Sequence, residues 1–511
     1  MSFFRNLTPT NGFDNKNLSN ARQNNYAWSM SELGDYIYVG TGRNILLNII
    51  NAISPNVKFP SLLMADPVVN RAEIWRYRKD GRLSWEKVYP TTTEDPSFLG
   101  FRYMINHKPL EGSPALYAAG VSERVRVLKS TNGVNWRVLE DTILQGSSSR
   151  AMVTHKGRLY IATRDELNQN AVPLLYSSKD PEFYPWESVI NNAEDFKPNK
   201  NPKGSIWNMA VFNNRIYVST SHENRIQIWR TNHEEPRLNE WTLVVDGFEN
   251  PLNRYTLSMG VFKDHLYVSG TKPLPLSWFI PLGCDVIRID KEDNWETIVG
   301  GNTFVPLASI IDEGSLSNLG SGFNNPFNVY GWQIQEYKNR LLISTFDDSS
   351  NMEVILTTLL ENRLALENII GETVTNILIK VYASVVEILT AIRYPRGFDL
   401  YISEDGVNFN CAFVNGLNNP HNYGGRILFV DSKNDLYIGT SNPFQGCEVW
   451  YTDGIADNTL QPCDDNHYKD LWKARRLINE NLSVINENMS TVLELMSKSN
   501  YLNTLIGKKQ K

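Results

Sequence analysis

Ionisable side chains follow a repeated apolar segment at several points of this 511-residue chain, among them Arg43, Arg164, His222 and Asp347. When apolar residues shield such groups from water, their pKa values shift, and the groups can act as acids or bases or stabilise an anion. Arg43 and Asp347 each directly precede a long apolar insertion, so they are candidate catalytic residues. Arg164 and His222 are candidate substrate-binding residues. For each of the four, a solvated loop charge or an ion pair between repeats is the competing interpretation.

The repeated segment is an apolar and aromatic tetrad that leads into a small residue and often a threonine. Short apolar runs bounded by turn residues are typical of buried strands. Another apolar run precedes each tetrad, and further runs follow it, the last of them marked by an aromatic residue and an aliphatic residue three positions later, as in Trp241 and Val244. Such copies predict an all-β fold, a seven-bladed β-propeller over residues 1–460. The seven tetrads begin at Ile37, Leu116, Leu159, Ile216, Leu266, Leu341 and Leu436.

The seventh unit lacks a sequence for its fourth strand. Phe4 and Leu7, at the other end of the chain, have the missing aromatic-x-x-aliphatic spacing. We therefore expect the N-terminal segment to pair with the last blade and close the ring, which removes open sheet edges.

Two blades carry long apolar insertions between their second and third strands. In blade 1 the insertion spans about 44–70 and begins with a helical pattern, and in blade 6 it spans about 352–393 and predicts a helical hairpin with a break at Gly371. Lys380 and Glu387 interrupt the second arm, which favours a helix buried on several sides over a membrane span. Loops at these positions emerge on one face of a propeller. We expect the insertions to meet there and either to roof a site for a hydrophobic ligand or to plug the mouth.

The motif Thr345-Phe346-Asp347, at a strand end below helices that cover a propeller mouth, resembles the cyanobacterial alkylating enzymes of the cylindrocyclophane type. Those enzymes join a resorcinol ring to a secondary alkyl chloride, and a Thr-x-Asp, an Arg and a Tyr gather at their mouth. The resemblance implies that Asp347 takes the phenol proton and that Arg43 and Tyr382 stabilise the departing chloride. It also implies that Thr345 contacts the substrate.

The sequence indicates no resident metal or cofactor. The seven histidines lack metal-ligand spacing. Residues 347–351 could offer oxygens to calcium but lack the glycine turn of an EF-hand, so calcium is a minor alternative. The four cysteines have no C-x-x-C pairing and are expected to be free thiols.

Residues 466–508 form a separate module, in which apolar residues recur with alternating spacings of four and three from Ile478 to Met496. This pattern predicts a C-terminal helix that either pairs two copies of the chain as a coiled coil or lies back on the propeller.

A net charge of −6 argues against nucleic-acid binding, and the N-terminus has no signal-peptide layout, which favours a cytoplasmic protein. Two functions remain. One is an enzyme acting on a hydrophobic small molecule at the propeller mouth, with alkylation of a phenol by an alkyl halide as the specific hypothesis. The other is a non-catalytic scaffold or binding protein that assembles through its C-terminal helix. They differ in whether Arg43, Asp347 and Tyr382 converge on a cavity.

Overall fold

The computed structural model describes most of the chain. The described part consists mainly of antiparallel strands, with few helices. It comprises residues 3–53, 63, 67–141, 143–166, 172–190, 195–273, 277, 281–300, 314–463, 476–477 and 480–481.

The first part of the chain forms a short strand, a four-stranded antiparallel unit that we call blade 1, and two helices. Strand β1 (Arg5–Asn6) and helix α1 (Leu18–Gln23) precede the blade. The insertion after its second strand contains helix α2 (Ile45–Ile53). The strands of the blade are β2 (Asn24–Leu33), β3 (Tyr36–Arg43), β4 (Ile74–Arg78) and β5 (Glu86–Tyr89).

The next four units are separate four-stranded antiparallel sheets in which chain neighbours pair in order. Blade 2 is β6 (Phe101–His107), β7 (Ala115–Gly120), β8 (Arg126–Ser130) and β9 (Arg137–Val138). Blade 3 is β10 (Ser148–His155), β11 (Arg158–Arg164), β12 (Leu174–Ser178) and β13 (Glu187–Ile190). Blade 4 is β14 (Ser205–Phe212), β15 (Arg215–His222), β16 (Arg225–Thr231) and β17 (Trp241–Asp246). Blade 5 is β18 (Tyr255–Phe262), β19 (His265–Thr271), β20 (Asp285–Ile289) and β21 (Trp295–Val299).

Blade 6 contains the second insertion, which follows its second strand as predicted. Its strands β22 (Asn328–Tyr337) and β23 (Arg340–Asp347) lead into helices α3 (Ser349–Glu361), α4 (Arg363–Ile370) and α5 (Glu372–Ala391). Strands β24 (Leu400–Ser403) and β25 (Asn410–Phe413) complete the blade. Blade 7 contains β26 (Gly424–Val430), β27 (Leu436–Ser441) and β28 (Val449–Thr452), and a final strand β29 (Gln461–Pro462) pairs with β25.

Bridging pairs join blades 6, 7 and 1 into one 13-stranded sheet. Phe346 pairs with Gly424, and Tyr26 pairs with Ser441. Strand β1 pairs with β28, with Arg5 opposite Tyr451. The first strands of consecutive blades also contact each other, in the order β2, β6, β10, β14, β18, β22 and β26, and β26 contacts β2.

The tetrad tyrosines lie between blades. The Tyr117 hydroxyl of blade 2 donates a hydrogen bond of 3.0 Å to Asp180 Oδ1 of blade 3, and the Tyr217 hydroxyl of blade 4 donates one of 3.0 Å to Asp293 Oδ1 of blade 5. The Tyr267 hydroxyl of blade 5 packs against Gly406 in the turn that follows β24. A Cβ on that glycine would lie 1.9 Å from the hydroxyl oxygen, and its φ is +84°. Glycine is therefore required there.

The repeated four-stranded architecture predicted from the sequence is confirmed, but two details differ. The blade 6 insertion begins at Ser349 and contains three helices, because its first arm ends at Glu361 and a new helix begins at Arg363. The sequence also gave no sign of β29. The predicted C-terminal helix over 466–508 lies outside the described residues, apart from 476–477 and 480–481. Within that part, Leu477 packs against the blade 6 helices.

The two apolar insertions meet, as predicted. Leu46 of α2 and Leu63 share a buried cluster with Val354 of α3 and Phe444 of blade 7. Helix α5 is long and apolar enough to cross a membrane. Its most apolar 18 residues have a mean hydropathy of 1.5, and 33% of that stretch is buried inside the protein. Its buried residues Leu378, Val385 and Leu389 pack against Phe327 and Met352.

Removal of the Phe4 side chain should destabilise the protein. Phe4 is buried and packs against Phe413 of blade 6, with ring centroids 5.4 Å apart. A buried Phe→Ala change costs about 3–5 kcal/mol, so Phe4→Ala should lower the free energy of unfolding by that amount in a guanidinium titration. Phe3→Ala, at a neighbouring side chain that is 45% exposed, is the matched control and should change it by less than about 0.5 kcal/mol. Equal effects would contradict a structural role of the N-terminal strand.

Candidate functional site

Asp347 is the last residue of β23 and lies directly before α3. Its side chain has no exposed surface. Oδ1 accepts a hydrogen bond of 2.8 Å from the Ser349 backbone N–H, and Oδ2 accepts a short hydrogen bond from the Tyr394 hydroxyl. The strand end and the insertion therefore hold this carboxyl group in place through both of its oxygens.

A network of buried polar groups connects Asp347 to a second aspartate. Asn325 Nδ2 donates a hydrogen bond of 2.7 Å to the Tyr394 hydroxyl. Asp399 Oδ2 accepts hydrogen bonds of 2.8 Å from Asn328 Nδ2 and 2.9 Å from the Tyr401 hydroxyl. With the adjacent Asp348, these aspartates form a buried group of three, Asp347, Asp348 and Asp399, which we call the carboxyl cluster.

The pKa values of all three carboxyl groups of the cluster are raised. Burial raises the pKa of Asp347 to about 6. Burial and the nearby Asp347 charge raise the pKa of Asp399 to about 7, and burial raises the pKa of Asp348 well above its usual range. Among the described residues, no lysine, arginine or histidine forms an ion pair with any of the three. A buried carboxyl group without a cation favours its neutral form.

The predicted tyrosine lies near this cluster but is not the partner of Asp347. Tyr382 is fully buried in α5, and burial, with a smaller contribution from the Asp348 charge, raises its pKa. The hydroxyl that bonds Asp347 belongs to Tyr394, just after α5. The sequence offered no signal for Tyr394, because the path of the chain after the insertion decides which tyrosine returns to the strand end.

Arg43 belongs to a different hydrogen-bond network. Its Nη1 donates hydrogen bonds of 2.9 Å to the Asn20 carbonyl and 2.9 Å to Asn24 Oδ1, and its Nε donates one of 3.0 Å to the Val69 carbonyl. Burial lowers its pKa to about 10. These contacts fix the start of β2 to the blade 1 insertion. They include no member of the carboxyl cluster.

The predicted substrate-binding residues lie in three places. Thr345 Oγ1 accepts a hydrogen bond of 2.9 Å from the Asp399 backbone N–H, so it joins two strands of blade 6 beside the carboxyl cluster. The His222 side chain is 30% exposed, and its Nε2 lies 3.4 Å from Glu223 Oε1. Arg164 lies 3.5 Å from Glu166 and 4.0 Å from the centre of the Trp207 ring.

Arg164, at the end of the second strand of blade 3, is part of a group of arginines and tryptophans whose other arginines and tryptophans lie on first strands of the blades and were not predicted from the sequence. Arg102 lies 4.8 Å from the Trp28 ring, Arg150 lies 4.2 Å from the Trp207 ring, and Arg426 lies 5.5 Å from the Trp332 ring. These four arginines, the three tryptophans and Glu166 are called the arginine–tryptophan cluster below. Guanidinium groups on aromatic faces gain cation–π stabilisation and keep a defined orientation.

Glu166 is the acidic member of the arginine–tryptophan cluster. Its carboxylate forms a short ion pair with Arg102 and lies 3.2 Å from Arg150. Burial alone would raise its pKa, but Arg150, Arg164 and Arg102 together hold that pKa well below its usual range. Glu166 is therefore ionised at neutral pH and partly offsets the charge of its three arginine neighbours.

The described residues contain no group of three or more His, Cys, Asp or Glu side chains arranged to hold a metal ion. The oxygens of Asp347 that the sequence offered to calcium accept hydrogen bonds from Ser349 and Tyr394.

The carboxyl cluster predicts a pH dependence of stability. An unfolded aspartate has a pKa of about 3.9, so the folded state binds more protons than the unfolded state between about pH 4 and pH 7. The neutral form of Asp399 therefore stabilises the fold at low pH, and this stabilisation is lost as the pH rises through about 7. Asp399→Asn removes the titration. Wild type loses stability between pH 4 and pH 8 through this titration, and the variant does not. The difference in free energy of unfolding, variant minus wild type, should therefore increase by roughly a few kcal/mol over this range.

Urea unfolding at several pH values measures this difference, and Asp35→Asn, at a side chain that is 78% exposed, is the control. A difference between Asp399→Asn and wild type that does not vary with pH would contradict the protonated state of the cluster.

No protein-family model matches this sequence, and no curated protein matches it significantly. Among solved structures, the chain is similar to the WD40 β-propeller domain of Doa1, with 9% identity, a TM-score of 0.42 and coverage of 90% of this chain and 99% of that chain. It is also similar to YCF48 bound to D1 peptide, with 13% identity, a TM-score of 0.31 and coverage of 55% and 68%. A third similar structure is the nidogen/laminin complex, with 13% identity, a TM-score of 0.30 and coverage of 53% and 77%.

Proposed function

We propose that this protein is a seven-bladed β-propeller, closed by its N-terminal strand, that works as a ligand-binding protein. The seven-bladed ring is supported by the contacts between first strands, which run in chain order from β2 to β26 and return to β2. Closure is supported by the pairing of β1 with β28. Such a ring surrounds an axial channel lined by its first strands.

The observation that carries the binding function is the arginine–tryptophan cluster. Its members come from the first strands of blades 1, 2, 3, 4, 6 and 7, with Arg164 at the end of β11 and Glu166 just after it. Side chains from so many blades meet in one place only if they face a common axis. Because aromatic rings hold the guanidinium groups, less conformational entropy is lost when a ligand binds.

Alkylation is less well supported, because that reaction needs Arg43 and Asp347 at one substrate. Arg43 donates hydrogen bonds from Nη1 and Nε to Asn20, Asn24 and Val69, whereas Asp347 accepts hydrogen bonds from Ser349 and Tyr394. All of these contacts are intramolecular, and neither side chain has exposed surface. A substrate would have to displace them.

Acid–base catalysis at the carboxyl cluster is the second candidate. It is favoured by two neighbouring carboxyl groups, Asp347 and Asp399, whose pKa values of about 6 and about 7 suit proton transfer near neutral pH. This function requires the insertion helices to move, since they cover the cluster.

An alkylation assay separates the ligand-binding function from alkylation in which Asp347 acts as the base. Purified protein is incubated with an alkylresorcinol and a secondary alkyl chloride, and product and released chloride are quantified by mass spectrometry and ion chromatography. We expect neither product nor chloride above the no-enzyme control, from wild type or from Asp347→Asn. Product from wild type with a loss of about 100-fold or more in Asp347→Asn would overturn the binding function and assign Asp347 as the base.

Equal product from both proteins would also overturn the binding function, and it would remove Asp347 from the chemistry. Circular dichroism of the two proteins checks that the variant is folded, so that a loss of product is not mistaken for a loss of structure.

A further inference from the structure

Arg426, on β26, differs from the other arginines of the cluster. Its Nε is buried without a hydrogen-bond partner, and its side chain forms no hydrogen bond or ion pair with any residue that the structure describes. Arg426 nevertheless keeps part of its surface accessible while protein atoms enclose it, which is typical of a side chain that faces an internal channel. Its donors are available to a ligand that enters there.

The surroundings of Arg426 are positively charged. Burial, followed by the charges of Arg102 and Arg150, lowers its pKa to about 9, and no carboxylate opposes this effect. Of the charged members of the cluster, four are arginines and one is Glu166, which already pairs with Arg102, Arg150 and Arg164. Holding like charges together in a low-dielectric site costs free energy unless a counter-charge is present.

Aromatic rings lie beside the guanidinium group of Arg426. Arg426 stacks over Trp332, and the Tyr26 ring meets Trp332 at 86° with centroids 5.8 Å apart. Trp28 of β2 and Ile45 of α2 belong to the same buried apolar cluster as Tyr26 and Trp332. Trp332 and Tyr26 offer no carboxylate to neutralise Arg426.

We infer that the arginine–tryptophan cluster binds the anionic group of a small ligand, a carboxylate or a phosphate, and that Arg426 is the residue that determines this binding. The inference rests on the proposed function and names the ligand class for it. Arg426 contributes charge-assisted hydrogen bonds, and Arg102 and Arg150 contribute the positive potential that attracts the anion.

Titration of the full-length protein with two simple anions tests this inference. Inorganic phosphate and citrate are added separately at low ionic strength, with chloride as the reference anion, and binding is followed by calorimetry and by tryptophan fluorescence. We expect saturable binding of phosphate or citrate, with one site per chain and at least tenfold higher affinity than for chloride. The affinity should fall as salt is added. Tighter binding of phosphate indicates a phosphate-bearing ligand, and tighter binding of citrate indicates a carboxylate-bearing one.

Arg426→Met keeps much of the side-chain volume and removes the charge. It should weaken binding of the preferred anion by at least tenfold, the loss expected for a hydrogen bond between charged groups. Arg82→Met is the matched control at an arginine whose side chain is 78% exposed, and it should bind like wild type. The inference is wrong if neither anion binds more tightly than chloride, or if Arg426→Met binds like wild type.

Thermal unfolding provides a readout that a structural role would not give. Without added anion, Arg426→Met should be at least as stable as wild type, because the change removes a charge that Arg102 and Arg150 repel. The preferred anion should raise the Tm of wild type and leave that of Arg426→Met nearly unchanged. A variant that is destabilised without anion, together with absent binding in wild type, would make Arg426 a packing residue. Failure of this titration does not affect the alkylation result, and product in that assay does not affect the titration.

Discussion

The arrangement of the blades depends on a buried tyrosine on the second strand, whose hydroxyl reaches the outer turn of the following blade. Tyr117 and Tyr217 have no exposed surface, and a buried phenol needs a hydrogen-bond partner. Asp180 and Asp293 of the next blades provide it. The same residue type therefore packs the core of one blade and fixes the orientation of the next, which links sheet formation to the order of the blades.

The repeat also explains how much of the fold could be predicted. A tetrad defines one strand and the turn residues on either side of it, and alternation with a buried face sets the strand pattern of each sheet. The break at Asn362 was missed because that residue is not a helix breaker like Gly371. Strand β29 was missed because it has two residues, too few for any periodicity.

The site was harder to predict than the fold, for a physical reason. Arg102, Arg150 and Arg426 lie on three different blades and far apart in sequence. Each alone is an arginine in a strand, and their proximity depends on how the first strands of different blades pack against one another. Asp347 could be singled out from the sequence because a carboxyl group before an apolar insertion is a local feature. Its partner Tyr394 follows the insertion, and no local sequence pattern indicates which tyrosine there lies next to Asp347.

The two clusters of ionisable residues do not neutralise each other, although a layer of aromatic rings connects them. The Tyr423 carbonyl accepts a hydrogen bond of 2.8 Å from the Asp347 backbone N–H. The Tyr423 ring packs edge-to-face against Phe346, with ring centroids 4.6 Å apart, and its hydroxyl shares a short hydrogen bond with the Tyr26 hydroxyl. Tyr26 in turn lies close enough to Arg426 to oppose the lowering of its pKa.

Burial favours the neutral forms of Asp348 and Asp399, whereas Asp347, with a pKa of about 6, is mostly ionised at pH 7. Among the described residues, no carboxylate forms an ion pair with Arg426, and Glu166 already pairs with Arg102, Arg150 and Arg164. The burial that favours neutral Asp348 and Asp399 therefore leaves the arginines to be balanced by Glu166 and, for the rest, by solvent ions or a bound anion.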